Sequence, residues 1–263
     1  MDFSKFYDEQ HDYVAFRSDP NRLNEYKIAI QWKVQNLAKG ISAVVKKDNI
    51  LEVGCALGIL LNSVADKLAI KVRFGIDISA ENIDYAKKLY PDCGFVCGTI
   101  EDIQKKWNTY FSVDRFDIVI LSDIIEHIPD DEQFLREVSK VSKYVILNLP
   151  LEKCYNNRNR KYGETDPSGH LRNYDLNDAK KLIDRGGFEI INYFTDNAHF
   201  DKIFFKTYSK NRLLRVKSKK IHLRLFWQLY YFTEGVVRII SPRLYKKKYG
   251  SNFFAVLKAK GIK

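Results

Sequence analysis

The sequence predicts an α/β fold, with a doubly wound and mainly parallel sheet that carries helices on both faces. Short apolar runs rich in β-branched residues alternate with helical patterns, and a glycine turn joins the first run directly to a helix. The alternation favours parallel strands, because these need crossover connections. A length of 263 residues with 45% hydrophobic residues fits one substantial core with appendages.

Seven apolar runs predict the strands, and five periodic segments predict the helices between them. The first helix has apolar side chains at spacings of three and four, starts at Asp19-Pro20 and ends at Gly40. The predicted strands are 49–53, 71–76, 95–97, 116–121, 143–149, 188–194 and 252–258, and the predicted helices are 20–39, 57–68, 79–89, 131–141 and 177–185.

The positive charge of the chain is concentrated in one segment. The formal net charge is +11, yet the stretch from Lys202 to Lys248 alone holds 14 Lys and Arg against one acid, Glu234. We therefore expect four parts: an N-terminal helical segment or lid at 1–48, a core at 49–201, a basic amphipathic insert at 202–250, and the last core strand with a tail at 251–263.

A turn after the first strand predicts a cofactor site. Gly54 permits a tight backbone turn, and Gly58 lets the following helix come close to a ligand. Asp77 ends the next strand, about 20 residues later, where an acid accepts hydrogen bonds from a ribose diol. The spacing lacks the G-x-G-x-x-G pattern of dinucleotide sites, so no pyrophosphate is implied.

These residues carry a resemblance to a known family. The run from Glu52 to Gly58 resembles motif I of class I S-adenosylmethionine-dependent methyltransferases of the Rossmann-like fold, and the similarity continues in order through residues 49–194. The sequence differs from the family pattern at two positions: Ala56 stands where many members have glycine, and Thr99 stands where an acidic residue is common. The resemblance implies S-adenosylmethionine as cofactor, with its contacts at Glu52, Gly54, Cys55, Ala56, Gly58, Asp77, Ile78, Thr99, Ile100, Leu121 and Ser122.

The acid-base candidates follow the fourth and fifth strands. Asp123, Glu126 and His127 lie after the fourth strand, where open α/β sheets bind ligands, and resemble the Glu-His element of ubiquinone-pathway and glycan O-methyltransferases. We predict His127 as a general base, with Glu126 orienting it or binding substrate. His170, in a polar loop after the fifth strand, is the second candidate base. The alternative that His127 only caps the next helix stays open.

A metal site is a further alternative at the same residues. Asp123-x-x-Glu126-His127 together with His170 is similar to the metal site of small-RNA 2′-O-methyltransferases. Because Asp123 stands where that site has a glutamate, we expect no metal.

The acceptor is predicted to be a hydroxyl of a sugar or a lipid-linked glycan. The loop 162–174 after the fifth strand resembles a segment of ubiquinone-type and glycan-cluster methyltransferases. This resemblance makes Arg172 a candidate for binding an anionic group and Tyr174 a second substrate contact. The Asn/Asp-Pro-Pro-aromatic run of amino-methylating DNA enzymes and a Pro-Cys nucleophile are absent from the sequence after the fourth strand. Nucleic acid is therefore disfavoured, while RNA methylation and a non-catalytic cofactor-binding module remain the alternatives.

The basic insert predicts a helix that could lie on a membrane. Lys220, Arg224, Gln228, Tyr231, Gly235 and Arg238 form a polar stripe, which leaves Leu225, Phe226, Trp227, Leu229, Phe232, Val236 and Ile240 on an apolar face. Either this face meets an anionic membrane, or it packs on the domain or a second subunit. Four sparse cysteines and an N-terminus without signal-peptide character predict a cytoplasmic, membrane-peripheral protein.

Overall fold

A computed structural model describes residues 3–9, 13–41, 47–217 and 221–261. Its seven-stranded sheet has the order β3-β2-β1-β4-β5-β7-β6, in which β7 runs antiparallel to both of its neighbours and the pairs among β1 to β5 are parallel. The strands are β1 Asn49–Val53, β2 Val72–Asp77, β3 Gly94–Cys97, β4 Phe116–Ser122, β5 Ser142–Leu151, β6 Phe188–Asp196 and β7 Ser251–Ala259. All seven predicted strands are present, so the expected α/β class is confirmed.

Helices cover both faces of this sheet. Alternate residues of β4 enter two separate cores: Val119 and Leu121 belong to one, and Ile118 and Ile120 to the other. The helices are α1 Phe3–Glu9, α2 Tyr13–Ser18, α3 Pro20–Ala29, α4 Gln31–Lys39, α5 Ile59–Lys67, α6 Ala80–Leu89, α7 Ile100–Gln104, α8 Trp107–Tyr110, α9 Asp131–Val141, α10 Leu176–Arg185, α11 Lys202–Lys217, α12 Ile221–Ile240 and α13 Pro242–Tyr249. A central strand buried on both faces is the arrangement that its unbroken apolar run predicts.

The helix predicted over residues 20–39 is divided in two. Helix α3 ends at Ala29, and α4 begins at Gln31, with Ile30 between them in a right-handed helical conformation. The Ile30 amide still donates to the Tyr26 carbonyl at 3.0 Å, so the break is a bend rather than a loop. The Asp19 carboxylate caps the start of α3 and Gly40 ends α4, as the sequence predicts.

The basic insert is a three-helix unit, α11 to α13, between β6 and β7. Its centre is the single acid of the segment: Glu234 is buried, receives two hydrogen bonds from Arg212 at 2.9 and 2.6 Å, and accepts one from Tyr245 at 3.2 Å. Arg238 fastens the unit to the core through the His199 carbonyl at 2.8 Å. A buried carboxylate is tolerable here because it is paired and hydrogen-bonded.

Helix α12 turns its apolar face away from the protein. Phe232 is 69% exposed and Ile240 is 77% exposed, whereas Tyr231 and Arg238 of the predicted polar stripe are half-buried against the insert; Lys220 lies outside the described residues. The alternative that the apolar face packs on its own domain is therefore wrong for this chain. Within the described residues, no helix combines the length and the apolar character needed to cross a bilayer.

The Glu234 pairing predicts a stability effect. Glu234→Ala leaves the Arg212 guanidinium without its carboxylate, so the free energy of unfolding should fall by about 2 kcal/mol. The exposed Glu189 on β6 is the matched control, and Glu189→Ala should change it by less than about 0.5 kcal/mol. Equilibrium urea unfolding measures both variants, and equal effects would contradict a central role for Glu234.

Candidate active site

A cavity of about 460 Å³ opens at the carboxyl ends of β1, β2 and β4. It is the position at which open α/β sheets bind ligands, because the loops that follow parallel strands meet at one edge. The predicted cofactor residues that line it are Glu52, Gly54, Cys55, Ala56, Asp77, Ile78, Thr99, Ile100 and Ser122. The sequence-predicted residues thus meet around one cavity.

Gly58 and Leu121 belong to the framework beneath the cavity and do not line it. Gly58 precedes α5 as its N-cap with a φ of 70°, and a Cβ atom there would lie 2.7 Å from the Phe95 ring. Leu121 is fully buried in the core.

The turn after β1 has a positive φ at Gly54 and Ala56 as well as at Gly58. Gly54 has a φ of 77°, and a Cβ atom at this residue would lie 2.5 Å from the Ile124 side chain. Ala56 also has a positive φ, 44°, which costs an alanine more than the glycine that the family often has there. The departure at Ala56 is therefore accommodated with some backbone strain.

Asp77 connects this turn to the end of β2. One carboxylate oxygen accepts from the Ala56 amide at 2.8 Å, and the other accepts from the Ser79 amide at 2.9 Å. Burial raises the pKa of Asp77 to about 6, although the two backbone hydrogen bonds act in the opposite direction. Both oxygens keep a lone pair for further donors, as a ribose diol would supply.

Glu52 supplies a second carboxylate to the cavity wall. The side chain is buried, and its Oε2 atom has no hydrogen-bond partner in the described part of the chain. Burial holds the pKa of Glu52 well above its ordinary value. An unsatisfied carboxylate oxygen beside a cavity favours a ligand with a cationic or hydrogen-bond-donating group.

Four aromatic side chains from the N-terminal helices close the cavity on its outer side: Phe3, Tyr7, Tyr13 and Tyr26. Ser4 of α1 donates to the Ile78 carbonyl at 3.0 Å, which fixes this helix over the end of β2. The sequence predicts a helical segment or lid at 1–48 but assigns no site residue to it. The aromatic-rich start of the chain was the signal that could have located these contacts.

Lys33 of α4 reaches the same edge and pairs with Asp123. Its ammonium lies 2.8 Å from Asp123 Oδ2, and the same oxygen accepts from Ser122 at 2.8 Å and from Asn148 at 2.9 Å. Burial opposes ionisation of Asp123, but the Lys33 charge and hydrogen bond outweigh it and hold its pKa below the ordinary value. This set of partners favours a positioning role for Asp123 and makes it a poor proton acceptor.

The predicted acid-base residues Glu126, His127 and His170 form one cluster beside the cavity. His127 lines the cavity, and its ring lies perpendicular to that of His170 with 4.8 Å between centroids. His127 Nδ1 lies 3.0 Å from the Gly169 carbonyl oxygen, and His170 Nδ1 lies 2.6 Å from Glu152 Oε2. Glu152 is a member of this cluster that the sequence reasoning missed.

Arg172 and Tyr174, the predicted substrate residues, do not line the cavity. Both are tied to Asp131 at the start of α9: Arg172 by an ion pair of 2.7 Å, and the buried Tyr174 by a hydrogen bond of 2.7 Å. These contacts hold the loop after β5 against α9. The two side chains therefore position the loop after β5 and do not contact the cavity themselves.

Residues 45–164 match the family described as "Methyltransferase domain". The part of the chain from β1 to the loop after β5 is therefore similar to a methyltransferase domain. A ubiquinone biosynthesis O-methyltransferase of Rhodopseudomonas palustris is 31% identical over 131 residues, 48% of this chain and 48% of that protein. Ajmaline N-methyltransferase of Rauvolfia serpentina is 33% identical over 97 residues, 37% of this chain and 33% of that protein. The chain thus spans about half or less of these relatives' length.

The same fold is present in a solved structure of much lower identity. The cyclopropane synthase MmaA2 from Mycobacterium tuberculosis superimposes with a TM-score of 0.60 at 14% identity, covering 97% of this chain and 96% of that one. At this identity the likeness supports the fold alone.

The cofactor of the family is S-adenosylmethionine, and the cavity fits it on two observations of this structure. The orphaned Glu52 oxygen suits the cationic methionine portion, and the Asp77 carboxylate at the end of β2 suits the ribose diol. Ile78 and Ile100 line the cavity beside Asp77 and would provide apolar walls for an adenine ring. Thr99 shares this wall, while its hydroxyl caps α7 by accepting from the Asp102 amide at 3.2 Å.

The raised pKa of Asp77 predicts a pH-dependent affinity for S-adenosylhomocysteine. Above pH 7 the carboxylate is ionised and accepts from the ribose hydroxyls, so the affinity should be constant. Below about pH 6 protonation competes with binding, and the affinity should fall towards tenfold per pH unit.

Calorimetric titration from pH 5 to 8 measures this dependence. Asp77→Asn should weaken binding by about 1.5–3 kcal/mol at pH 7.5 and flatten the profile. An unaltered slope in Asp77→Asn would show that another group titrates.

Proposed function

We propose that this chain transfers the methyl group of S-adenosylmethionine to a hydroxyl group of a sugar or a lipid-linked glycan. The observation that carries the proposal is the juxtaposition of a cofactor-type cavity with the Glu126, His127 and His170 cluster at its edge. The similarity to an O-methyltransferase of ubiquinone biosynthesis supports a hydroxyl acceptor. The assignment of a sugar as the acceptor rests on the resemblance of the segments around Glu126 and His170 to glycan O-methyltransferases.

The bound cofactor supplies an electrophilic methyl group on a sulfonium, whose carbon–sulfur bond breaks with its electron pair passing to sulfur. The acceptor oxygen forms the new bond to carbon, so its proton must leave. The chain places two imidazoles at this edge, and each has its Nδ1 atom beside an acceptor, which leaves the lone pair on Nε2. We therefore propose that the cluster activates the acceptor hydroxyl, as expected from the sequence.

A basic groove beside the cluster supports an anionic group on the acceptor. The groove, about 670 Å³, lies between the loop after β5 and α13, and Arg158 and Lys247 are exposed along it. Glu152 lines the groove and also contacts His170, so the groove adjoins the activating cluster. A phosphate-bearing lipid carrier has the charge that such a groove would attract.

The imidazole pair predicts a specific catalytic defect. The double variant His127→Asn with His170→Asn should lower turnover by 10² to 10⁴-fold, the range for loss of proton transfer, while S-adenosylhomocysteine still binds. His222→Asn, on the exposed side of α12, is the matched control and should leave turnover unchanged.

The assay follows methyl-labelled cofactor into three acceptor fractions: free sugars, lipid-linked oligosaccharides and RNA. Label in the first two supports the proposal, and label in RNA would favour the alternative of RNA methylation. Undiminished turnover in the double variant would remove the imidazoles from the mechanism. Failure of the wild type to bind S-adenosylhomocysteine would contradict the methyltransferase function as a whole.

The exposed face of α12 supports a position at an anionic membrane surface. Leu225, Phe226, Leu229 and Phe232 form an exposed apolar strip on a segment in which basic residues far outnumber acids. Apolar side chains that enter the headgroup region, together with lysines that attract anionic lipid, are the features of interfacial helices. A membrane position would also bring the site close to a lipid-linked acceptor.

Vesicle cosedimentation tests the membrane proposal. The wild type should bind vesicles of phosphatidylglycerol and phosphatidylcholine more tightly than pure phosphatidylcholine, and binding should weaken with salt. Phe226→Ser with Phe232→Ser should weaken binding at least about tenfold, since the variant loses two exposed rings that would enter the membrane. Ile28→Ser removes an exposed apolar side chain outside the insert and is the control. Equal binding by both variants, or dimerisation through α12 without vesicle binding, would overturn the proposal.

A further inference from the structure

Two basic segments face each other across the groove beside the acid-base cluster. Residues 152–160 of the loop after β5 form one wall, and α13 of the basic insert forms the other. Acidic side chains are represented in the lining by Glu152 alone, whereas five side chains are basic: Lys153, Arg158, Arg160, Lys247 and Lys248. Such an excess of positive charge in a concave surface attracts anions.

The two walls of the groove are joined through their backbones. The Tyr155 amide donates to the Lys247 carbonyl, and the Asn156 amide donates to the Lys248 carbonyl, each at 3.0 Å. Both carbonyls belong to the last turn of α13, where the helix itself supplies no amide for them. The loop therefore caps the C-terminal end of α13, and this fixes the basic side chains of the two walls relative to each other.

Three of the five basic side chains are engaged within the protein. Lys153 and Arg160 have carboxylate partners, at 2.5 Å for Lys153 and at 2.7 and 2.8 Å for Arg160. Lys248 donates to the Tyr230 hydroxyl at 2.9 Å. Ion pairs with the protein's own carboxylates neutralise the first two charges, so these residues hold the walls together more than they offer charge to a ligand.

Arg158 and Lys247 are the two cations whose charge is left for a ligand. Both are exposed, and neither forms an ion pair with a carboxylate of the described part of the chain. The Arg158 guanidinium lies 3.9 Å from the centre of the Tyr155 ring and donates through Nη1 to the Tyr155 carbonyl at 2.9 Å. These contacts orient the guanidinium and leave its Nη2 atom for an oxygen of a ligand, which suits phosphate.

Glu152 connects the groove to the acid-base cluster. Its Oε1 atom accepts from Arg160 at 2.8 Å, and its Oε2 atom lies 2.6 Å from His170 Nδ1. The His170 ring is in contact with that of His127, which lines the cofactor cavity. One acceptor molecule can therefore place an anionic part in the groove and a hydroxyl at the edge of the cavity.

We propose that the groove binds a diphosphate group esterified to the acceptor sugar, held by Arg158 from the loop and by Lys247 from the insert. The two cations match the two negative charges of a diphosphate diester. The inference rests on the proposed function for the nature of the acceptor. The insert then supplies one half of the acceptor site, in addition to the exposed face of α12. Nucleotide-linked and lipid-linked sugars share this diphosphate, and the groove recognises what they have in common.

Diphosphate binding can be measured without transfer of a methyl group. The full chain is titrated by calorimetry with three probes: inorganic pyrophosphate, uridine diphosphate glucose and a short-chain prenyl diphosphate glucose. We expect each probe to bind at one site per chain, with an affinity that falls as salt is added. Tighter binding of the prenyl ester supports a lipid-linked acceptor, and tighter binding of the nucleotide ester supports a soluble one; both results support the diphosphate site.

The residues of the site are tested by two double variants with the same change in net charge. Arg158→Gln with Lys247→Gln should bind all three probes at least about 30-fold more weakly, because two charge-assisted contacts are lost. Lys161→Gln with Arg243→Gln removes one exposed charge from the same loop and one from α13, both outside the groove lining, and is the control. The control should change the affinity by less than about threefold.

S-adenosylhomocysteine is titrated into the same samples as a test of folding and of the cofactor site. If the wild type binds S-adenosylhomocysteine but none of the probes, the diphosphate site is overturned and the proposed methyl transfer stands. Equal weakening in the two double variants also overturns it, because the overall charge and not the groove would then attract the probes. A wild type that binds the probes but no S-adenosylhomocysteine would overturn the proposed function and retain the diphosphate site.

Discussion

The cavity depends on one buried carboxylate that joins two strand ends. Asp77 accepts a backbone hydrogen bond from the turn after β1 and another from the start of α6, one on each oxygen. Both loops would otherwise leave an amide unsatisfied in a buried position. The cavity is thus built around an acid whose charge is costly to bury, as its raised pKa indicates. Binding energy from a ribose diol would offset that cost.

The edge of the cavity next to β4 is organised by a second set of charges, of which the sequence reveals only half. Lys33 of α4 meets Asp123 after β4 and so connects the N-terminal helices to the sheet edge. The two residues are 90 positions apart, and the pairing follows from how α4 lies across the sheet. The charge of Asp123 is consequently neutralised by Lys33 and its oxygen is hydrogen-bonded, whereas neither carboxylate oxygen of Glu126 has a hydrogen-bond partner in the described part of the chain. Neighbouring acids in one motif therefore have different electrostatic surroundings.

The succession of strands and helices along the chain was predictable because each element is specified locally. Buried strands such as 49–53 and 116–121 are short apolar runs that contain β-branched residues. The glycines that follow β1 mark a turn, because glycine adopts positive φ values more readily than other residues do. The cofactor residues were predictable for the same reason, since most of them belong to that turn and the next two strand ends. The aromatic cover by Tyr7, Tyr13 and Tyr26 and the contact of Glu152 with His170 arise from tertiary packing, which local periodicity does not encode. The sequence pattern likewise could not predict that the apolar face of α12 points outward, because a helical stripe shows which residues share a face and not what covers that face.

The position of the insert in the sheet has an evolutionary consequence. Asp196 at the end of β6 lies directly opposite Asn252 near the start of β7, so the three helices begin and end at adjacent points of one antiparallel ladder. Topologically they are an enlarged hairpin loop, and the entropic cost of lengthening such a loop grows slowly. Segments of different size and surface can therefore be exchanged at this point without altering strand register, although they meet the same edge of the sheet as the cavity. The strand framework can therefore stay constant while the surface that borders the loop after β5 varies.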